Sequence, residues 1–218
     1  LAGAAVVVTA GGTREAFDPV RFVGNRSSGK MGFALAAAAR DRGAAVTLIH
    51  GPAAAEAPYG VTAIPVESCA DMERAVLDSI GGADALVMAA AVADYRPEVA
   101  APQKIKKLDS RLALNLVRTA DILSAVAEQR RPGERLKAVV GFAAETRDVI
   151  ENARGKLARK KLDLIVANDV SASDSGFEVD TNRVTLLDAS GGVEALPLMS
   201  KTAASERVID RLVSILGR

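Results

Sequence analysis

Apolar positions along the chain fall into two alternating kinds of run. Ala4–Ala10 is unbroken and rich in β-branched residues, and Gly11-Gly12 closes it, as for a strand buried on both faces. Ser28–Gly43 has helical spacing instead, with Met31, Phe33 and Leu35 ahead of an alanine run that ends at Asp41-Arg42-Gly43. Ala45–His50 and Val61–Val66 predict two further strands, and Ala70–Ile80 an amphipathic helix stopped by Gly81-Gly82. The same rhythm predicts a fourth strand over Ala83–Ala91, a helix over Asp121–Arg130 and a fifth strand over Lys137–Ala143. It closes with a helix over Val149–Lys160 and a strand over Leu162–Ala167.

Two segments break the alternation. Tyr95–Val117 is basic and Pro-punctuated, then turns apolar-polar over Leu112–Val117, which predicts a loop running into an extra strand. Arg183–Leu187 and Val193–Leu198 flank Ser190-Gly191-Gly192, a hairpin signal, ahead of a final helix over Thr202–Leu216 with Ala204, Val208, Leu212 and Ile215 on one face. Four or more βα units in series predict an α/β fold, a Rossmann-like parallel sheet with helices on both faces, and the hairpin a small β appendage. No repeat or long linker divides the chain, so residues 1–218 are expected to form a single domain.

Composition narrows the function. The 218 residues are 49% apolar and 25% charged, which excludes disorder and collagen-like repeats. No apolar run reaches the ~18–20 residues of a membrane span, so no membrane partner is expected. With 28 basic against 27 acidic residues, no Trp and 3% aromatics, no nucleic-acid partner is expected either. A single Cys (Cys69) excludes an intrachain disulfide and Cys-cluster metal sites, and a single His (His50) excludes His-rich zinc sites. No secretion-type segment opens the chain, so a cytoplasmic location is expected. The first residue is Leu1, which suggests a processed chain or a piece of a longer one.

In an open parallel sheet, ligands bind beyond the carboxyl ends of the strands. Thr9–Glu15, Ala90–Asp94, Gly141–Thr146 and Asn168-Asp169-Val170 follow predicted strands there. Gly11-Gly12-Thr13 would let backbone N–H groups approach an anion, or would be a plain βα turn. It is not G-x-G-x-x-G, and the second strand ends in His50-Gly51-Pro52 without a ribose-binding acid, which disfavours a nicotinamide dehydrogenase. Ser27, Ser28 and Gly29 fall where a helix begins and Lys30 adds charge, which reads as an anion site or as a simple Ser N-cap. Gly24-x-x-x-x-Gly29-Lys30 approaches a phosphate-binding loop but has Met31 where a hydroxyl should hold Mg²⁺, so that reading is rejected. Lys104–Lys107 reads as a phosphate-neutralising flap or a solvated charge run. Lys156, Arg159, Lys160 and Lys161 read as a second basic set or as dipole-favoured helix-end residues. His50 reads as a structural strand-end residue or as a base, and Cys69 as a core or cap residue or as a thiolate favoured at a helix start, and neither enters the mechanism.

Taken in order, Thr9–Glu15, Asp18–Arg21, Asn25–Gly32, Ala90–Tyr95, Lys104–Lys107, Gly141–Thr146, Asn168–Val170 and Gly176-Phe177-x-x-Asp180-x-Asn182 closely resemble the phosphopantothenoylcysteine synthetase family. The resemblance runs from about Val6 to Asn182. It implies a ligase in coenzyme A biosynthesis. The carboxylate of 4′-phosphopantothenate attacks the α-phosphate of CTP, giving an acyl-cytidylate and pyrophosphate. The amine of L-cysteine then forms the amide and releases CMP, with Mg²⁺ accompanying the nucleotide.

The resemblance also implies roles. Asn25 acts at the acyl-nucleotide, Arg21 orients the same loop, and Lys104 acts from the flap, these three forming the catalytic set. Ser28, Gly29 and Lys30 make the triphosphate-binding helix start. Gly11, Gly12, Thr13, Ser27, Ala91, Asp94, Phe142, Lys156, Lys160 and Asn168 fall in nucleotide-binding regions. Asp169, Phe177, Asp180 and Asn182 close over the nucleotide or bind the cation, with metal ligands unassigned. Lys160-Lys161-Leu162-Asp163 departs from the family's Lys-Asn-Leu-Asp, which leaves Lys160 as the matching lysine. A homodimer is implied, with the 112–117 strand and the 183–198 hairpin as contacts. So is an excised synthetase domain, natively fused to a flavin-dependent decarboxylase and itself without FMN. An ATP-using relative, or a non-catalytic nucleotide-binding module on the same fold, is the alternative.

Overall fold

The β-branched run after Ala4 does what its pattern demands: it becomes a strand with neighbours on both sides and helices over both faces. The structure, a computed structural model, describes residues 1–53, 55–106, 111–131, 133–145, 148–169 and 179–217. Its elements begin with β1 (Ala5–Ala10), β2 (Glu15–Ala16), β3 (Phe22–Val23), α1 (Lys30–Asp41), β4 (Ala45–His50), β5 (Thr62–Pro65) and α2 (Cys69–Ile80). There follow β6 (Ala85–Met88), β7 (Tyr95–Pro97), β8 (Leu116–Arg118), α3 (Ile122–Gln129), β9 (Ala138–Glu145), α4 (Val149–Arg159) and β10 (Leu164–Asp169). The chain ends with β11 (Thr181–Asn182), β12 (Val184–Asp188), β13 (Val193–Ala195), β14 (Met199–Ser200) and α5 (Lys201–Ile215).

Eight strands form the central sheet in the order β13-β12-β10-β9-β6-β1-β4-β5. The six from β5 to β10 are parallel. From β1 the chain first builds outward through β4 and β5, then returns to place β6 on the other side of β1. That reversal is a switch point, where two strand ends diverge and leave a crevice.

Alternate residues of each strand feed two apolar layers. Val6, Val8, Leu48, Val87, Val140 and Leu164 pack under α1 and α5, against Leu35, Val208 and Leu212. Val7, Ile49, Leu86, Val139 and Ile165 pack under α2, α3 and α4, against Met72, Val76, Val126 and Ala153. A side chain on Gly32 would meet Ala10 Cβ at 2.4 Å and Thr9 O at 2.8 Å, so glycine lets α1 lie directly on the end of β1.

Three expectations change. The 183–198 hairpin, read as a small β appendage, extends the central sheet: β12 pairs antiparallel with β10, register Leu164 to Asp188, and β13 pairs with β12. Val184 and Leu186 thereby join the core. The small β elements outside the sheet are instead the two-stranded ribbons β2-β3, β7-β8 and β11-β14, and the 112–117 segment contributes only its end to β8. The fourth strand stops at Met88, because Ala90 N–H turns to Thr9 Oγ1 (3.1 Å) and Ala91 N–H to Gly11 O (2.8 Å). Among the described residues no helix is long and apolar enough to cross a membrane.

Candidate active site

A cleft of about 1190 Å³ opens over the carboxyl ends of β6, β9 and β10, beside the switch point. Residues 25–32, 88–95, 118–123 and 142–145 form its walls, with Lys156, Arg159, Lys160, Asn168, Asn182 and Lys201. Glycine makes its floor possible. A Cβ on Gly12 would stand 2.9 Å from Asn25 O, and one on Gly24 would stand 2.5 Å from Thr13 O, so two backbones cross there in direct contact. Thr13 braces the floor from beneath: its Oγ1 accepts from Ala93 N–H (2.9 Å) and its N–H donates to Ala91 O (3.3 Å).

Gly11, Gly12 and Thr13, read as an anion cradle or as a plain βα turn, lie beneath the cleft. All three are buried and none lines the cleft; they let the Asn25 segment and the Ala91–Ala93 segment pack over the end of β1. Asn25 does face the cleft, and its Nδ2 donates to Val92 O (2.8 Å). Ser28 is not the helix cap. That place falls to Gly29, left-handed at φ 76° with no side-chain capping bond, while Ser27 Oγ accepts from Gly29 N–H (3.2 Å). The N-terminus of α1 therefore opens on the cleft with Ser27, Ser28 and Lys30 around it.

Cations dominate the rim. Lys30 Nζ lies 2.5 Å from Asp180 Oδ1, and the ammonium holds that carboxyl below its ordinary range. Lys156 Nζ donates to Phe142 O (2.9 Å); burial pushes its pKa down, against the opposing pull of Glu145 and Asp94. Lys160 pairs with the Asp121 carboxylate and donates to Ser124 Oγ (2.9 Å), and burial lowers its pKa as well. Ala91, Asp94, Phe142 and Asn168 all line the cleft, as the motif order suggested.

Asn182 is buried at its edge; Nδ2 lies 3.8 Å from Met31 Sδ, and Oδ1 meets no hydrogen-bond partner among the described residues. Arg21 and Lys104 are not in the lining: Arg21 pairs with Asp18, and Lys104 is exposed on the segment before Ile105. Phe177 and the side chain of Asp169 lie outside the described residues, as do Lys107, Thr146, Val170 and Gly176.

Over residues 1–216 the chain matches the family described as the DNA/pantothenate metabolism flavoprotein C-terminal domain. The chain belongs to this family. It is 48% identical over 216 residues to the coenzyme A biosynthesis bifunctional protein CoaBC of Bacillus subtilis, a match covering 99% of this chain and 52% of that protein. It is 47% identical over 225 residues to CoaBC of Mycobacterium tuberculosis, covering 100% of this chain and 54% of the relative. The chain thus spans about half the length of the curated relatives it matches. Among solved structures, the C-terminal domain of a CoaBC superposes with TM-score 0.83 at 38% identity, covering 100% of this chain and 97% of that one. A DNA/pantothenate metabolism flavoprotein from Streptococcus pneumoniae shares the fold, with TM-score 0.81 at 23% identity over 97% of this chain and 99% of that chain.

In this member of the family, two departures from the sequence reading have physical causes. Lys161, set aside above, takes φ 50° just after α4, a left-handed position that suits the Asn of the related pattern better than Lys. Lys201, overlooked because the pattern gave it only a place near the start of a helix, is buried in the cleft wall. It donates to Val179 O, and burial first, then Lys30, lowers its pKa. Asp121, read only as the first residue of a helix, is instead the N-cap of α3: its Oδ1 accepts from Ser124 N–H (3.1 Å). His50 and Cys69 both lie outside the cleft lining. His50 packs on Phe33 with ring centroids 5.5 Å apart, and burial pushes the Cys69 thiol up. No group of three His, Cys, Asp or Glu side chains able to hold a metal ion occurs among the described residues.

Proposed function

We propose that this domain is the ligase half of a coenzyme A biosynthesis protein, joining 4′-phosphopantothenate to L-cysteine with CTP as the activating nucleotide. One observation carries the reading. A cleft walled by Asn25, Lys30, Lys156 and Lys160 stands at the switch point of a chain 48% identical to CoaBC.

The chemistry follows from charge. A carboxylate must approach a polyanion, so catalysis rests on neutralisation and positioning. Lys30 and the N-terminus of α1 take the triphosphate, arriving as its magnesium complex, while Lys156 and Lys160 line the opposite wall. The carboxylate oxygen bonds to the α-phosphorus and the bond to pyrophosphate breaks. The cysteine nitrogen then attacks the acyl carbon, the acyl–oxygen bond breaks, CMP leaves, and the ammonium proton goes to solvent. Asn25 Nδ2 carries two hydrogens and gives one to Val92 O; the second serves the oxyanion of that step. Lys104 acts from the flap.

The reading extends to a single domain over 1–218 and to a cytoplasmic setting. It includes fusion to a flavin-dependent decarboxylase half, which would keep the FMN, and a homodimer. Exposed Val20, Phe22, Tyr95, Val99, Leu112 and Leu116 sit on or beside the β2-β3 and β7-β8 ribbons and supply an apolar face for the dimer. The 183–198 hairpin, whose β13 forms one edge of the central sheet, is the second contact in this reading.

The test is pyrophosphate release from CTP, Mg²⁺ and 4′-phosphopantothenate, with and without L-cysteine, with ATP in parallel. Release that needs 4′-phosphopantothenate, cycles only with cysteine and prefers CTP is the expected result. Preference for ATP would overturn the nucleotide assignment. Nucleotide binding without release would point to a non-catalytic module.

A further inference from the structure

Outside the cleft lining, one turn holds the flap by its backbone. The Asp18 side chain is completely buried, and a buried carboxylate is costly unless hydrogen bonds replace its water. Five donors do so. Val20 N–H and Arg21 N–H each reach Oδ1 at 2.8 Å; Arg21 Nε (2.9 Å), Arg21 Nη2 (2.5 Å) and Ile105 N–H (3.1 Å) reach Oδ2. Arg21 foremost keeps the carboxyl well below the ordinary carboxylate range.

Arg21 Nη2 also donates to Ile105 O (2.8 Å). Ile105 is therefore gripped at its N–H and its C=O together, as a neighbouring strand would grip it, but by two side chains of a turn 84 to 87 residues upstream. A further bond, Ala101 N–H to Phe17 O (2.9 Å), ties the start of the same flap to the same turn. Lys104 is the residue immediately before the gripped one.

We propose that Asp18 is a positioning residue: with Arg21 it forms a clasp on the Ile105 backbone that fixes the foot of the flap and so sets the reach of Lys104. Neither residue lines the cleft, so Arg21 too acts through the flap and not on substrate. The clasp is a property of the fold. Only its consequence for Lys104 rests on the ligase reading.

Two variants test it in the full chain. Asp18→Asn keeps the size of the side chain and loses its charge. Arg21→Lys keeps the charge but loses the planar fork that reaches Asp18 and Ile105 O together. Both are expected to speed tryptic cleavage within Lys104–Lys107 several-fold, with a single cooperative thermal transition retained. Each should lower turnover at saturating nucleotide on the order of 10- to 100-fold, the scale of a small misplacement, with KM for CTP little changed. Adding Lys104→Gln to either should then lower turnover no further.

Unchanged flap cleavage in both variants overturns the clasp. Faster cleavage with losses that multiply when Lys104→Gln is added overturns the positioning role. If the unaltered chain releases no pyrophosphate at all, the ligase reading fails, while the cleavage rates still decide the clasp.

Discussion

Lys30 and Asp180, 150 residues apart in the chain, meet at 2.5 Å at the mouth of the cleft. Both side chains are well exposed (46% and 83%), so the pair adds little to folding. Its importance is electrostatic: the Asp180 carboxylate faces the cation that the proposed reaction assigns to a triphosphate.

Asp180→Asn should therefore leave Tm unchanged and tighten CTP binding severalfold, because a phosphate would no longer compete with a fixed carboxylate for Lys30. Calorimetric titration without 4′-phosphopantothenate checks this. Weaker binding in the variant would mean that Asp180 helps to hold the nucleotide or its cation.

Lys156 offers a pH signature. Burial holds its folded pKa below that of an exposed lysine, so below that value the folded domain keeps an ammonium that the unfolded chain solvates better. The penalty vanishes as pH rises from the folded pKa toward the unfolded value near ~10.4. Through this group the domain should gain stability across that alkaline window. Lys156→Met should be at least as stable at pH 7, with a flatter alkaline profile, while KM for CTP rises about 10- to 100-fold from the lost charged contact. Thermal melts across pH, paired with initial rates, read both effects.

Asn25→Asp should still release pyrophosphate once per site but stall before amide formation, lowering turnover about 100- to 1000-fold, since a carboxylate repels the oxyanion that the amide would stabilise. Quenched reactions should contain trapped acyl-cytidylate. Undiminished turnover would remove Asn25 from the second step.

Two glycines should respond in opposite directions. Gly32→Ala drives a methyl against Ala10 and the Thr9 carbonyl, and should destabilise the domain by about 1–3 kcal/mol as α1 lifts from β1. Gly155 lies inside α4 with nothing within 4 Å of an added Cβ. Gly155→Ala should stabilise by about 0.4–1 kcal/mol by restricting the unfolded chain. Urea midpoints at constant m decide both.

Much of the site was legible because the sheet was. Once Ala5–Ala10, Ala85–Met88 and Ala138–Glu145 are parallel neighbours, Asn25, Ala91, Asp94 and Phe142 converge on one edge whatever the loops do in detail. The buried side of that edge was not legible. Gly11-Gly12-Thr13 has the composition of an anion loop, yet the missing Cβ of Gly12 serves the crossing of the Asn25 backbone and that of Gly11 the approach of Gly51. Lys201 and Asp18 were given no role for a related reason: one stood only beside a helix start and the other only inside a matching stretch. Their burial depends on segments far away in the chain.

Periodicity, β-branched runs and glycine punctuation by themselves determined the parallel α/β core, the helices on its two faces and the order of the motifs. These are local consequences of which residues must leave water. The antiparallel edge from β12 and β13, the cap at Gly29, the Lys30–Asp180 pair and the Asp18–Arg21 clasp on Ile105 were decided only by the tertiary structure. Each depends on distant groups meeting, and a linear pattern carries no record of which donor will satisfy which buried acceptor.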